Sequence, residues 1–258
     1  MIDKSAIIDP SAVIAKNVKI GPYSIIGANV EIAEGTEIAS HAVITGRTKI
    51  GRNNRIFPFA SIGADPQDLK YKGEDTLLEI GDGNIFRECC TINRGTKQGG
   101  GVTHIGNNNL IMAYVHIAHD CILGNEIVLS NNTTFAGHVT VGNCAVFGGF
   151  AAISQFCNIG AYSFIGATTG INKDVLPFTL ISGHHGPAKT YGLNVVGLKR
   201  RGFSIEKIKQ IEQAYYLLCK DNATIKEALP KLEVMAKECP EIQLIIEMLQ
   251  KSKYGVIR

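Results

Sequence analysis

The chain repeats itself every six residues. Starting at Ile8, isoleucine returns at Ile14, Ile20, Ile26, Ile32, Ile38, Ile44, Ile50, Ile56 and Ile62. The register resumes at Ile80, Phe86 and Ile92, slips by one residue, and runs from Ile105 to Ile171 with an apolar side chain at each sixth position. That period fits neither a 3.6-residue helix nor an alternating strand. It fits a triangular coil of three short strands, each sending one large side chain inward. Three hexads make one coil, coils stack about 4.8 Å apart, and residues three hexads apart lie over one another. No hexad is stable alone, so the interior is one continuous stack. Each buried anchor contributes roughly 1.5–3 kcal/mol.

The residue after the anchor is often glycine, as at Gly21, Gly51, Gly142 and Gly160. Glycine's easy access to positive φ predicts tight corners there. Four residues after the anchor a small residue recurs, including Cys90, Cys121 and Cys157, which reads as filling of the prism edge rather than thiol chemistry. The cysteine count, seven, is odd and contains no CxxC pair, which fits reduced thiols in a cytoplasmic protein.

Two interruptions break the pattern. Residues 64–79 preserve the phase but would place Asp68 and Glu74 on anchor sites, where a bare carboxylate is costly. Residues 98–104, QGGGVTH, break the phase outright. Both read as loops leaving a rigid scaffold, a usual place for function. Beyond Pro177 the six-residue period ends, and from about Gly192 the pattern is helical. Ser204 can cap a helix, Thr224 to Glu227 forms a capping-box pattern, and Pro240 suits a first helical turn. The reading is a mainly β chain, with a parallel β-helix over 1–190 and a C-terminal α-helical domain over 191–258.

A net charge of +3 on 258 residues is too mild to imply nucleic acid and compatible with an acidic protein partner or a phosphorylated substrate. No apolar run approaches the roughly 20 residues of a membrane span. The start MIDKSAIIDP lacks a signal-peptide layout.

The chemistry gathers at three of the seven histidines. Counting three hexads per coil puts residue 137 over 119 and 155 over 137, with His138 one coil above Asp120. His116, His119, Asp120, Gly137, His138 and Gln155 therefore form one patch near one edge. Two roles fit it. His119 can act as a general base oriented by a carboxylate, or the histidines can hold a metal such as zinc, with His116 and His119 at ligand spacing.

At these residues the chain resembles the bacterial acyl-[acyl carrier protein]–UDP-N-acetylglucosamine O-acyltransferase family, over essentially its whole length. The stretches that carry the likeness are MIDKSA, QDLKY, GTKQGGG, HIAHDC, AGHVTVG and GLKRRGF. The resemblance implies a left-handed β-helix, assembly as a homotrimer, and the first step of lipid A biosynthesis. It implies His119 as general base, Asp120 as its support and Gly137 N–H as oxyanion donor. His116, His138 and Gln155 would line the sugar and pantetheine site. Gln67, Asp68 and Lys70 would reach substrate from a neighbouring subunit, and Asn194, Arg200 and Arg201 would hold the nucleotide. His185 would meet the acyl chain end, and Ala167 would leave room for its tail. No metal or bound cofactor is implied, since acyl carrier protein brings its own phosphopantetheine. The chain departs from the family at Ser154 and Asn93, where many members have histidine, and at Val196, where they have glutamate. Two other readings stay open: a metal-dependent β-helix enzyme of the carbonic anhydrase type, and a non-catalytic paralogue.

Overall fold

In the computed structural model, which describes residues 1–184, 186–219 and 224–258, the six-residue period becomes a prism with three walls. Wall 1 has nine strands, from Ile7–Ile8 to Gly170–Ile171. Wall 2 has eight, from Val13–Ile14 to Asn158–Ile159, and wall 3 has ten, from Lys19–Ile20 to Lys189–Leu193. Apart from that last strand the walls are parallel, with residues three hexads apart paired, such as Ile7 with Ile25 and His116 with Thr134. The anchors fill the interior: Ile26, Ile44, Ile62, Ile92, Ile117 and Phe135 are buried.

Glycine plays a different part from the one expected. Gly21, Gly51, Gly142 and Gly160 do not take positive φ; that conformation falls two residues later, at Tyr23, Asn53, Cys144 and Tyr162, and at the same place in other hexads, as at Asn29, Asp120, His138 and Phe156. The glycines are there because the coils lie too close for a side chain. A Cβ on Gly21 would come within 2.8 Å of Ser40 N, and one on Gly142 within 2.6 Å of Ala161 N. The inner edge also holds more than small residues. Asn54 Oδ1 accepts from Asn84 N–H at 2.9 Å, Asn84 Oδ1 from Asn109 N–H at 2.9 Å, and Asn109 Oδ1 from Ile127 N–H at 2.8 Å. This asparagine ladder satisfies backbone donors that the corners leave unpaired. Cys90, Cys121 and Cys157 are buried at the same level. Burial pushes the Cys90 and Cys121 thiols up to about 12, and that of Cys157 to about 11, so they pack and do not react.

Both loops have limits other than the pattern suggests. Ala64 still belongs to the strand Ser61–Ala64, and Leu77–Ile80 is a strand, so the first excursion covers 65–76 rather than 64–79. Val102–Ile105 is a strand as well, which moves the second excursion from 98–104 to 94–101, with a 3₁₀ turn at Lys97–Gly99. The loop necks pair with each other: Leu77 N–H donates to Gly101 O at 2.8 Å and Arg94 N–H to Ala64 O at 3.1 Å. Both excursions leave the corner between walls 1 and 2, on adjacent coils.

The C-terminal part opens with a strand where helix was expected. Lys189–Leu193 pairs antiparallel with Thr179–Ser182. Helices α1 (Val195–Arg200), α2 (Ile205–Cys219), α3 (Ile225–Glu238) and α4 (Gln243–Lys251) follow. Thr224 and Glu227 form the capping box, and Pro240 opens a 3₁₀ turn leading into α4. The helices share a core with Leu176 and Phe178 at the end of the prism. The chain then returns: Val256 bridges Asp174, and Ile257 is buried in the prism core.

If inter-coil spacing, not φ, requires these glycines, Gly142→Ala should destabilise the fold by about 1–3 kcal/mol through overpacking. Asn29→Gly, at a positive-φ corner, should stay within about 0.5 kcal/mol of the parent. Thermal unfolding by circular dichroism checks both.

Candidate active site

His119 and Asp120 turn the corner between walls 1 and 2, between the strands His116–Ile117 and Ile122–Leu123. Asp120 takes φ 60°, and His138 and Phe156 repeat that conformation at 63° and 65° on the next two coils. Backbone bonds set the coils in register: His138 N–H donates to His119 O at 3.0 Å and Phe156 N–H to Gly137 O at 3.2 Å. Among the described residues the Gly137 N–H has no partner, although its neighbours Ala136 and His138 both join the ladder.

The two side chains at the corner are buried, His119 at 6% exposure and Asp120 at 5%. His119 Nδ1 lies 2.7 Å from Asp120 Oδ2. Thr96 supplies two more donors, its N–H to Asp120 Oδ1 at 2.8 Å and its hydroxyl to Oδ2 at 2.6 Å. Three donors thus converge on one carboxylate. The carboxylate therefore takes the Nδ1 proton of His119 as a hydrogen bond, which leaves Nε2 as the basic nitrogen. The Cε1–Nε2 edge lies against Gly137, where a Cβ would come within 2.5 Å of Cε1 and 2.8 Å of Nε2. Glycine is needed there to admit the imidazole.

The other two histidines surround this pair. His138 meets His119 edge-on at 5.2 Å between centroids and stacks on Phe156 at 4.5 Å. Its Nε2 is 3.7 Å from Asp120 Oδ2. Burial holds its pKa below the ordinary value against the opposing pull of Asp120, with His119 also lowering it and Asp68 raising it. His116 is pushed down by burial first and by His119 second, and its Nδ1 sits 2.7 Å from the Thr91 hydroxyl. A cleft of about 610 Å³ opens beside them, lined by His116, His119, Gly137, Ser154, Gln155 and, from the first loop, Gln67.

The sequence-derived residues divide among the corners. His116, His119, Asp120, Gly137, His138, Gln155 and Gln67 come together, with Asp68 near enough to act on His138. The resemblance assigns the first loop to a neighbouring subunit's site, yet Gln67 lines the cleft of its own chain. Lys70 is exposed, and its N–H donates to Asp68 Oδ1 at 2.9 Å. Asn194 caps α1 at the corner between walls 2 and 3, where its Nδ2 donates to Tyr162 O at 3.0 Å. Arg201 pairs with Glu126 at that same corner, and Arg200 is exposed beside it. Ala167 is exposed at the third corner, between walls 3 and 1. His185 lies outside the described residues. The pattern reading missed Thr96, Thr91 and Thr103, whose hydroxyl accepts from Asp120 N–H at 2.8 Å. The available signal was the one-residue phase slip, which marks the loop carrying Thr96.

A metal reading has one observation in its favour: ligand atoms of His119, Asp120 and His138 lie within 4.8 Å of one another. Asp120, however, already accepts from Thr96 twice and from His119, so a cation there would have to displace those donors. A histidine–carboxylate pair set beside an unpaired backbone N–H is instead the equipment of acyl transfer.

A stack of hexapeptide repeats carrying that pair at one corner defines a hexapeptide-repeat transferase. The bacterial transferase hexapeptide profile matches residues 2–34, 11–46 and 103–137, and the UDP-N-acetylglucosamine O-acyltransferase domain 2 profile matches residues 174–257. A relative from Thermodesulfovibrio yellowstonii, an acyl-[acyl-carrier-protein]–UDP-N-acetylglucosamine O-acyltransferase, is 51% identical over 257 residues, covering 100% of this chain and 99% of its own length. A solved UDP-N-acetylglucosamine O-acyltransferase from Moraxella catarrhalis is 48% identical with a TM-score of 0.97, covering 100% of this chain and 99% of that one. One from Francisella novicida is 42% identical with a TM-score of 0.98, covering 100% of this chain and 94% of that one. The chain belongs to the acyl-[acyl carrier protein]–UDP-N-acetylglucosamine O-acyltransferase family, and its prism is a left-handed parallel β-helix.

The depressed histidines predict a pH dependence. A histidine whose folded pKa lies below its ordinary 6.5 binds fewer protons folded than unfolded. Stability is then unaffected above about pH 6.5 and lost as pH falls toward the folded value. Between about pH 7 and 5 the melting temperature of the parent should fall more steeply than that of His116→Gln. Parallel slopes in thermal melts would remove His116 from this account.

Proposed function

We propose that the chain transfers an (R)-3-hydroxyacyl group from acyl carrier protein to the 3-hydroxyl of UDP-N-acetylglucosamine, the first step of lipid A biosynthesis. The observation that carries this reading is the buried His119–Asp120 pair whose imidazole lies against Gly137, a residue whose N–H has no partner among the described residues. His119 Nε2 takes the proton of the sugar hydroxyl as its oxygen attacks the thioester carbonyl. The carbonyl oxygen becomes an oxyanion held by Gly137 N–H, a contact typically worth roughly 2.7–4 kcal/mol. Collapse breaks the C–S bond, and the pantetheine sulfur leaves with the proton that His119 took. Asp120 stabilises the imidazolium in between. His116, His138, Gln155, Gln67, Asp68 and Lys70 bind sugar and pantetheine around this centre.

The remaining contacts need a second copy. Asn194, Arg200 and Arg201 sit at one corner of the prism, Ala167 at another and His119 at the third, so side-by-side packing of prisms as a homotrimer would join them. Exposed aromatic side chains support that packing: Tyr23, Phe59, Tyr114 and Phe150 are each at least 60% exposed, all on the corner between walls 3 and 1. All four take positive φ, which disfavours bulky residues, so burial by a partner would offset an otherwise unexplained cost. Arginine in that assembly grips the diphosphate with its rigid fork of donors. On this reading the reaction takes place in the cytoplasm and uses no metal. No helix among the described residues is long and apolar enough to cross a membrane.

His119→Ala should lower turnover with acyl carrier protein and UDP-N-acetylglucosamine by roughly 10²–10⁴-fold while leaving the oligomer intact. Wild-type turnover in that variant would refute the general-base assignment. Dialysis against a chelator should leave the parent rate unchanged. Loss of activity restored by zinc would favour the metal reading.

A further inference from the structure

The second loop touches the reaction centre and the first loop through consecutive residues. Thr96, 1% exposed, donates its N–H and its hydroxyl to the two oxygens of Asp120. Its hydroxyl also accepts from Gly99 N–H at 3.1 Å, which directs its own proton to the carboxylate. Gly99 closes over Asp120 so tightly that a Cβ there would collide with the carboxylate carbon and both oxygens. Two residues before Thr96, Arg94 is turned the other way. Its Nη1 donates to Gly63 O at 2.7 Å, and its Nη2 donates to Tyr71 OH at 2.7 Å and pairs with Asp65. Tyr71 OH in turn donates to Glu74 O at 3.0 Å. Asn93 adds a bond from Nδ2 to Asp65 O at 2.8 Å. The Arg94 side chain is only 11% exposed, seated where Gly46 leaves the wall open.

These contacts pin the base of the loop that carries Gln67 into the cleft. We propose that Asn93–Thr96 is a positioning strut, in which Thr96 fixes Asp120, and through it His119, while Arg94 fixes the Gln67 loop, so that acceptor and base are held in register by four consecutive residues. Neither Thr96 nor Arg94 touches the reacting atoms. Thr96 acts on the chemical step, because it restrains the carboxylate that sets the His119 tautomer. Arg94 acts on acceptor binding, because it holds the loop and not the dyad. The division follows from the two directions in which the strut points, and it rests on His119 being the general base.

Steady-state kinetics on the full chain with acyl carrier protein and UDP-N-acetylglucosamine test it. Thr96→Val should lower kcat by about tenfold or more with KM for the sugar nucleotide within about threefold, the signature of an interaction used in the transition state. Thr96→Ser, which keeps the hydroxyl, should recover kcat to within about threefold of the parent. Arg94→Gln should raise that KM about tenfold with kcat within about threefold. Thr96→Ala carries the same criteria should the valine variant not fold. Unchanged kcat in Thr96→Val, no recovery in Thr96→Ser, or a fall in kcat without a rise in KM for Arg94→Gln overturns the strut. His119→Ala in the same assay separates the two claims. If it is inactive while the strut variants behave as wild type, only the strut is lost. If it remains active, the general-base reading itself fails.

Discussion

The structure depends on coil-to-coil stacking. Each hexad contributes two to four residues of strand, far too few to stand alone, so every strand relies on the coil above and the coil below. Strand pairing three hexads apart then translates sequence distance into axial distance at a fixed rate. Side chains at one hexad position form columns, and the chemistry of a column is cumulative. The buried anchors make the core, the asparagines make an inner hydrogen-bonded ladder, and the glycines keep the coils at contact distance.

The same stacking makes the proposed reaction centre from an ordinary corner. At the junction of walls 1 and 2 the positive-φ residue is in turn Asp120, His138 and Phe156. One rung supplies His119 and its carboxylate partner, the next supplies the glycine against which the imidazole lies, and the third supplies the ring on which His138 stacks. The two loops leave this same corner on the coils just below. Their position explains why an insertion that breaks the repeat does not break the fold: it lengthens one corner and leaves the walls paired, as Ile80 with Ile105 shows. The proposed function is thus concentrated where the repeat is least regular, on a scaffold whose regular parts hold it still.

Much of this was legible in the sequence, and the limits have physical causes. The anchor period revealed the prism, and counting three hexads per coil brought His119, Gly137 and His138 together, because columns depend only on local spacing. Thr96 escaped because it reaches Asp120 through a loop whose path no period describes. The role of Gly21 and Gly142 was misjudged because it depends on the distance between coils and not on local conformation. The loop limits shifted because Leu78 and Thr103 are buried in strands, although neither lies at an anchor site. The strand Lys189–Leu193 pairs antiparallel at the wall's end, where the hexapeptide pattern has already stopped. That Ala167, Arg201 and His119 occupy three different corners becomes visible only once the chain is wound.

The central claim is that His119 meets the acceptor hydroxyl at this corner, in a cleft completed by another copy of the chain. A crystal structure with UDP-N-acetylglucosamine bound measures this most directly. The account predicts the 3-oxygen within about 3.2 Å of His119 Nε2, and the diphosphate on Arg200 or Arg201 of a second copy. A sugar seated at either of the other two corners, with nothing of the ligand beside His119, would contradict it.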